Sequence, residues 1–294
     1  MKIAFGMIVF EGDYVLRECI EQVYPFASQI LIAEGPVKYW QNLGKKTSED
    51  YTNNIIDNFP DPDNKIKIVH SQYSEKDEQC NAYINLIDDD IDYLWNLDSD
   101  ELFKTDDIKK IIDFLEKEKP SSVSIRSCTF YGGFDHYLTG FEQNADNFRR
   151  IFRITKGCKW LTHRPPTIDY PIWSSISIKH INGDELYDST GVQMYHYSYV
   201  FPDQVFKKIT YYKEVLSGDS AIDNYFENVY LPWINGDDSI KMHIENIYDG
   251  VHEFKPQHRG SCRTKKFNDT HPESILNNLD ILKSKFIEQK LKYI

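Results

Sequence analysis

The sequence predicts an α/β protein whose mostly parallel, doubly wound sheet is flanked by helices and followed by a less regular region and a helical tail. Three observations carry that reading. Over the first 120 residues short apolar runs alternate with segments of helical period. Beyond Pro120 the rhythm breaks, and the fourth apolar run ends in a cluster of carboxylates.

Taken in order, Ile3 to Phe10, Gln29 to Ala33, Lys65 to Val69 and Tyr93 to Leu97 have the length and composition of buried strands. Between them, Val15, Leu16, Cys19, Ile20 and Val23 mark one helical face, and Tyr51, Ile55, Ile56 and Phe59 another. A third helix over Asp77 to Ile87 is marked by Cys80, Tyr83, Ile84 and Ile87. A fourth, over Asp106 to Glu118, carries Ile108, Ile111, Ile112 and Leu115 on one stripe. Further on, Ser122 to Phe130 and Asn147 to Thr155 read as strands, and Gly157 to Gly191 has no clear period. Gln193 to Val200 is a further strand, Pro202 to Leu216 a helix with Pro in its first turn, and Pro272 to Tyr293 a final helix. The expected division is an α/β half over 1–120, an irregular continuation over 121–215, and a helical and loop extension over 216–294.

The 294 residues suffice for a sizeable core, and 34 Lys and Arg against 46 Asp and Glu leave a net charge of -12. Such a field repels nucleic acid backbones and anionic membranes on average, so nucleic acid is not an expected partner. No apolar run approaches a membrane span and the opening residues lack a signal peptide's apolar region, which predicts a cytoplasmic protein. Five scattered cysteines without a C-x-x-C pair are expected to be reduced thiols. The 20 Tyr, 17 Phe and 5 Trp fit either a core or stacking platforms.

Four Asp-x-Asp pairs occur, at Asp61/Asp63, Asp88/Asp90, Asp90/Asp92 and Asp98/Asp100. Only Asp98-Ser99-Asp100 follows a buried parallel strand, the edge at which ligands bind in open α/β sheets. Two carboxylates there suit Mg²⁺ or Mn²⁺, which would also let a diphosphate approach an acidic protein. The alternative is a cap on the helix at Thr105 or a solvated turn.

At these residues the chain resembles the family 2 glycosyltransferases of the GT-A fold, especially the branch with bacterial lipopolysaccharide core glycosyltransferases. Phe10-Glu11-Gly12-Asp13 follows the first strand, Glu34 ends the second, and Lys76-Asp77-Glu78-Gln79-Cys80-Asn81-Ala82 resembles a family helix start. Trp95 to Glu101 resembles the family's strand with its acidic motif. Arg149 to Arg153 and Tyr195-His196-Tyr197-Ser198-Tyr199, with Lys207, Lys208, Tyr211 and Tyr212, complete the likeness to about residue 215. Cys80 stands where the family often has Arg, and Arg164 where a carboxylate is common.

The resemblance implies a metal-dependent enzyme moving a sugar, with inversion, from a nucleotide-diphosphate sugar to a hydroxyl of a carbohydrate or glycolipid acceptor. It implies Asp98, Asp100 and His196 as ligands of Mn²⁺ or Mg²⁺, and Phe10, Glu11, Glu34, Lys76, Gln79, Asp98, Ser99 and Asp100 around the donor. Glu34 either accepts hydrogen bonds from base or ribose or is a turn residue, and His196 is either a ligand or a core imidazole. His252, His258 and His271 are weaker rivals as ligands. The basic run Lys255 to Lys266, with Arg263 and Lys265, is expected as a mobile loop over the leaving diphosphate, or as a solvated loop. Inversion needs a base, for which Asp169 is first and Glu142 and Glu185 are alternatives. Trp160, Tyr170 and Trp173 are candidate sugar platforms.

Two other classes compete. A haloacid-dehalogenase-type phosphatase would use Asp98 or Asp100 as nucleophile with Gly236-Asp237-Asp238 as a late metal motif, although Leu102 and the fourth-strand position disagree with it. A catalytically inactive nucleotide- or sugar-binding module is the second. A nucleotidyltransferase lacks its Gly-rich loop here.

Overall fold

Strand β1 (Ile3–Val9) is buried almost throughout because both sheet faces are covered, as its unbroken apolar composition requires. It pairs in parallel with β2 (Gln29–Glu34) on one side and β4 (Tyr93–Asp98) on the other, and β3 (Ile66–His70) adds in parallel to β2. The computed structural model describes residues 1–143, 148–215 and 221–294. Its chain forms two units, the first made of Met1–Arg126, Ala145–Met194 and Pro272–Ser274, the second of Ser127–Asn144, Tyr195–His271 and Ile275–Ile294.

The first unit is the expected α/β sheet. Its strand order is His180–Ile181, Ser122–Ser124, Arg149–Arg153, β4, β1, β2, β3. Arg149–Arg153 runs antiparallel to both its neighbours, and the others follow the parallel direction. Helices α1 (Leu16–Val23), α2 (Lys38–Asn42), α3 (Thr52–Asp57), α4 (Lys76–Ile84) and α5 (Thr105–Glu118) lie in the intervening chain. Most of the stripes read from sequence are buried, namely Leu16, Cys19, Ile20 and Val23 in α1, Ile55 and Ile56 in α3, Cys80, Tyr83 and Ile84 in α4, and Ile108, Ile111 and Leu115 in α5, but Tyr51 and Phe59 fall outside α3 and Tyr51 is exposed.

Gly35, just after β2, has φ +142, and a Cβ there would stand 1.7 Å from the Ser71 carbonyl oxygen. Gly35→Ala is expected to lower stability by more than about 2 kcal/mol, since both the backbone region and the contact forbid it. Chemical denaturation measures the loss.

Two expectations in this unit change. The single strand over Ser122 to Phe130 is two, Ser122–Ser124 and Ser127–Tyr131, and the break at Ile125-Arg126 is the boundary between the units. Arg126 there turns to an ion pair with Asp184 at 2.6 Å. The aperiodic stretch after Gly157 holds an antiparallel hairpin, Lys159–His163 with Pro166–Asp169, and a helix, Gly183–Thr190, capped by Asn182. Asn147, Leu216 and the expected boundary at 216 lie outside the described residues.

In the second unit, strands Thr264–Lys266, His136–Leu138, Ser127–Tyr131 and Met194–Tyr199 lie side by side in that order. Helices Pro202–Val215, Leu231–Asn235 and Asp238–Tyr248 and most of Glu273–Leu291 accompany them. Aromatic rings fill its core, with Tyr131 edge-on to Trp233 and Tyr230. Their hydroxyls are matched: Tyr225 donates to the Val251 carbonyl and Tyr230 to the Val200 carbonyl. Many of the chain's aromatics are therefore structural. All five cysteines are free and buried. Among the described residues no helix is long and apolar enough to cross a membrane.

Candidate functional site

The carboxyl edge of the first unit's sheet collects the acidic residues singled out in the sequence. Register places Ile8 beside Asp98 and Val9 beside Glu34, so both carboxylates flank the end of β1. The turn that follows β1 is held from the segment before α3. Glu11, at φ 46, donates its backbone N–H to Ser48 Oγ at 2.8 Å, and Gly12 donates to Thr52 Oγ1 at 2.9 Å. The Glu11 carboxylate meets Lys45 Nζ at 2.9 Å. A Cβ on Gly12 would stand 2.8 Å from Ser99 Oγ, which brings the first turn against the acidic motif. Phe10 packs on Trp40 with ring centroids 5.7 Å apart.

Glu34 is 1% exposed, and its carboxylate accepts from Ser48 N–H at 2.8 Å, from the Thr47 hydroxyl and from His70 Nδ1 at 3.1 Å. Its observed partners thus belong to the protein. Burial disfavours a charged His70, but hydrogen bonds to Glu34 and Asp57, and their charges, raise its pKa above 6.5. A raised pKa contributes stability that is full below 6.5 and lost as pH rises through the raised value. The melting temperature is therefore expected to fall across that range, and His70→Asn to flatten the fall.

The turn after β4 is built by its own acids. Glu101 is fully buried, and its carboxylate accepts the Asp98 backbone N–H at 3.1 Å while Cys19 donates its thiol to the Glu101 carbonyl. From the antiparallel strand, Arg150 reaches Asp98 Oδ2 at 2.9 Å and the Glu101 carboxylate. Burial opposes the guanidinium's charge, yet Glu101, Asp98 and Asp100 hold it firmly protonated. Arg150 and Glu101 were not among the expected site residues, because 49 residues separate them and only the pairing of Trp95 with Ile151 brings them together. The alternative reading of the motif as a cap on α5 fails, since the Thr105 N–H is taken by Glu273 at 2.9 Å.

Helix α4 and the hairpin bring a second group to this edge. Gln79 is buried and its side-chain amide donates to the carbonyls of Val9, Ala33 and Gly35, so it fastens the ends of β1 and β2. His163 donates its backbone N–H to Asp77, and its Nδ1 lies 3.7 Å from Cys80 Sγ. Burial first, then the charges of Lys76, Arg164 and Arg150, push the His163 imidazole down to about 3, and burial pushes the Cys80 thiol up to about 12. Both feel Asp98 and Lys76, which places the neutral His163 imidazole within electrostatic range of the acidic turn.

The other expected residues are distributed elsewhere. Asp169 ends the hairpin in register with Lys159 and is exposed. Glu185 lies exposed in the first turn of Gly183–Thr190. Glu142 and His196 belong to the second unit. There Thr129 Oγ1 lies 3.2 Å from Glu142 and 3.4 Å from His196 Nδ1, and His252 Nε2 contacts Glu142 at 3.0 Å. Burial raises the Glu142 carboxyl, but the hydrogen bond and charge of His252, with the charges of Lys208 and His196, outweigh it and hold Glu142 at about 2. The basic run is not one loop: Pro256–Arg259 is a helical turn and Thr264–Lys266 a strand, in which Lys265 pairs with Tyr137. Arg263 is engaged by Asp249 and Asn246. Trp160, 3% exposed, packs edge-on to Tyr83 and Phe152 and cannot be a sugar platform. Asp237, in the candidate late metal motif of a phosphatase, caps the helix Asp238–Tyr248 in the second unit.

For Mn²⁺ or Mg²⁺ the donor chemistry of the turn fits: Asp98 and Asp100 supply hard oxygen ligands, and such ions take one or two carboxylates with the rest from water and phosphates. Among the described residues no group of three His, Cys, Asp or Glu forms an all-protein cage.

Residues 46–166, less than half of the chain, match the family described as Glycosyl transferase family 2. The segment includes α4, the Asp98–Glu101 turn, Arg150 and His163. No curated protein sequence matches the chain. Similar solved structures include S. aureus TarS 1-349 in complex with UDP-GlcNAc, 12% identical over 52% of this chain and 45% of that one, with TM-score 0.36. The complex of the same protein with UDP is 12% identical over 52% and 47%, with TM-score 0.36, and TarS 1-349 is 11% identical over 78% and 69%, with TM-score 0.40. The chain thus spans about half the length of the first two.

Proposed function

We propose that the chain is a GT-A-like, nucleotide-sugar-dependent glycosyltransferase that requires Mn²⁺ or Mg²⁺ and transfers with inversion to a hydroxyl of a carbohydrate or glycolipid. The observation that carries the reading is that the family match spans the acidic turn at the carboxyl edge of β4, where Arg150 already balances part of its charge.

Asp98 and Asp100 would hold the ion, which supplies positive charge where a diphosphate must sit. Arg150 pairs with Asp98 at 2.9 Å and orients it, and Lys76 and Arg164 offer further positive charge to an anion at this edge. The turn Phe10 to Asp13 lies against Ser99, as a donor-binding wall would require. Of the three candidate bases, Glu142 at about 2 is a poor proton acceptor near neutrality. Asp169, exposed and on the hairpin that carries His163, remains the first choice, ahead of Glu185. Asp169→Asn should lower kcat by about 100-fold or more with little change in donor affinity.

The purified protein is expected to hydrolyse or transfer from a UDP- or GDP-sugar only with Mn²⁺ or Mg²⁺. Turnover that survives EDTA overturns the metal requirement. Thermal stabilisation by nucleotide and metal without turnover identifies a binding module instead.

A further inference from the structure

The loop from Tyr170 to Lys179 is pinned at both ends to one residue. The Tyr170 hydroxyl reaches the Ser121 carbonyl at 3.3 Å and the Arg153 carbonyl at 3.0 Å, while Ser121 N–H donates to the Lys179 carbonyl at 2.7 Å. Between these anchors the chain turns apolar side chains outward: Ile172 is 106% exposed, Trp173 64% and Ile178 76%. Trp173 stands beside the Lys156-Gly157 turn, its ring 3.6 Å from where a Gly157 Cβ would be. On the neighbouring hairpin, Lys159 and Leu161 share the outer face.

Charge distinguishes this surface from the rest of the chain. From 156 to 179 there are four cations, Lys156, Lys159, Arg164 and Lys179, and one anion, Asp169, a net +3 along the segment that Asp89 and Glu118, paired with Lys156 and Lys179, reduce to +1 at the surface, within a chain of -12. Lys156 meets Asp89 and Lys179 meets Glu118, both solvent-exposed pairs of the kind that contribute little and exchange readily. Lys159 lies across from Asp169. A fixed loop bearing Trp and Ile, ringed by Lys and Arg, has the composition of an interfacial anchor.

We propose that the 170–179 loop docks on an anionic phospholipid bilayer, with Ile172, Trp173 and Ile178 entering the headgroup boundary and Lys156, Lys159 and Lys179 facing lipid phosphates. The chain lies on the bilayer and does not span it. This holds whether or not sugar transfer is the reaction, and its test uses no donor.

The test is flotation of the full chain with vesicles of phosphatidylcholine alone and of phosphatidylcholine with one quarter phosphatidylglycerol. Binding is expected only to the anionic vesicles, to weaken as salt rises, and to shift Trp173 emission to the blue. Trp95, Trp160 and Trp233 are buried and Trp40 is half-buried, so the shift is assigned to Trp173 by comparison with Trp173→Phe. Ile172→Ser with Trp173→Ser should cut the floated fraction about tenfold at an unchanged melting temperature, and Lys159→Glu should weaken it further. Trp173→Phe should remove the emission shift. No flotation, flotation unaltered in the double variant, or instead a concentration-dependent dimer lost in that variant, would overturn the proposal.

Discussion

Replacing Arg150 by Met is expected to cost about 3–5 kcal/mol of stability, because it strands a fully buried Glu101 without its partner. Restoring neutrality should undo much of this: Arg150→Met with Glu101→Gln leaves a carboxamide still able to accept the Asp98 N–H. Guanidinium denaturation of the two single variants and the double gives the coupling directly. A loss under about 1 kcal/mol for the single change would mean the pair behaves as a solvent-exposed one. Both contacts come from the single nitrogen Arg150 Nη2, so Arg150→Lys, which keeps a charge for Glu101, is expected to cost less than Arg150→Met.

The second large effect is on turnover. Asp100→Ala is expected to lower kcat/KM for a nucleotide sugar by about 1000-fold, ~4 kcal/mol of transition-state stabilisation. The metal concentration needed for half-maximal rate should rise with it. Asp100 is only half-buried and lies outside the Glu101–Arg150 pair, so its melting temperature should stay near that of the parent. Retained activity with unchanged metal dependence would remove the Asp98–Asp100 turn from the mechanism.

Much of the first unit is legible in sequence because its elements are periodic and fully buried on the faces that the periodicity marks. Leu16, Cys19, Ile20 and Val23 are hidden, as their spacing requires. Ser122 to Tyr131 was opaque for the opposite reason. Burial is continuous on both sides of Ile125-Arg126, and neither Gly nor Pro marks the change of sheet. The hairpin at 159–169 hides behind Pro165-Pro166 and a mixed face. Helix Asp238–Tyr248 exposes Ile240, Met242 and Ile247, so its apolar residues do not trace a buried stripe.

At the site, Asp98 and Asp100 are readable from position alone, as the strand end fixes them. What they touch is not, since Arg150 reaches Asp98 from 52 positions away, through the pairing of β4 with Arg149–Arg153. Glu34 shows the same divide: its place at the end of β2 is legible, and its enclosure by Thr47, Ser48 and His70 is not.

Residues 272–274 belong to the first unit, and Glu273 supplies the acceptor for the Thr105 N–H while Gln22 bonds both Glu273 and Ser274. These contacts span 168, 251 and 252 positions of chain. During synthesis the N-terminal end of α5 and the α1 amide must therefore wait, with their groups hydrated, until residue 274 has left the ribosome. A nascent chain stalled at 200 should show α5 amides exchanging faster than in the finished protein, and addition of a peptide covering 268–291 should slow them.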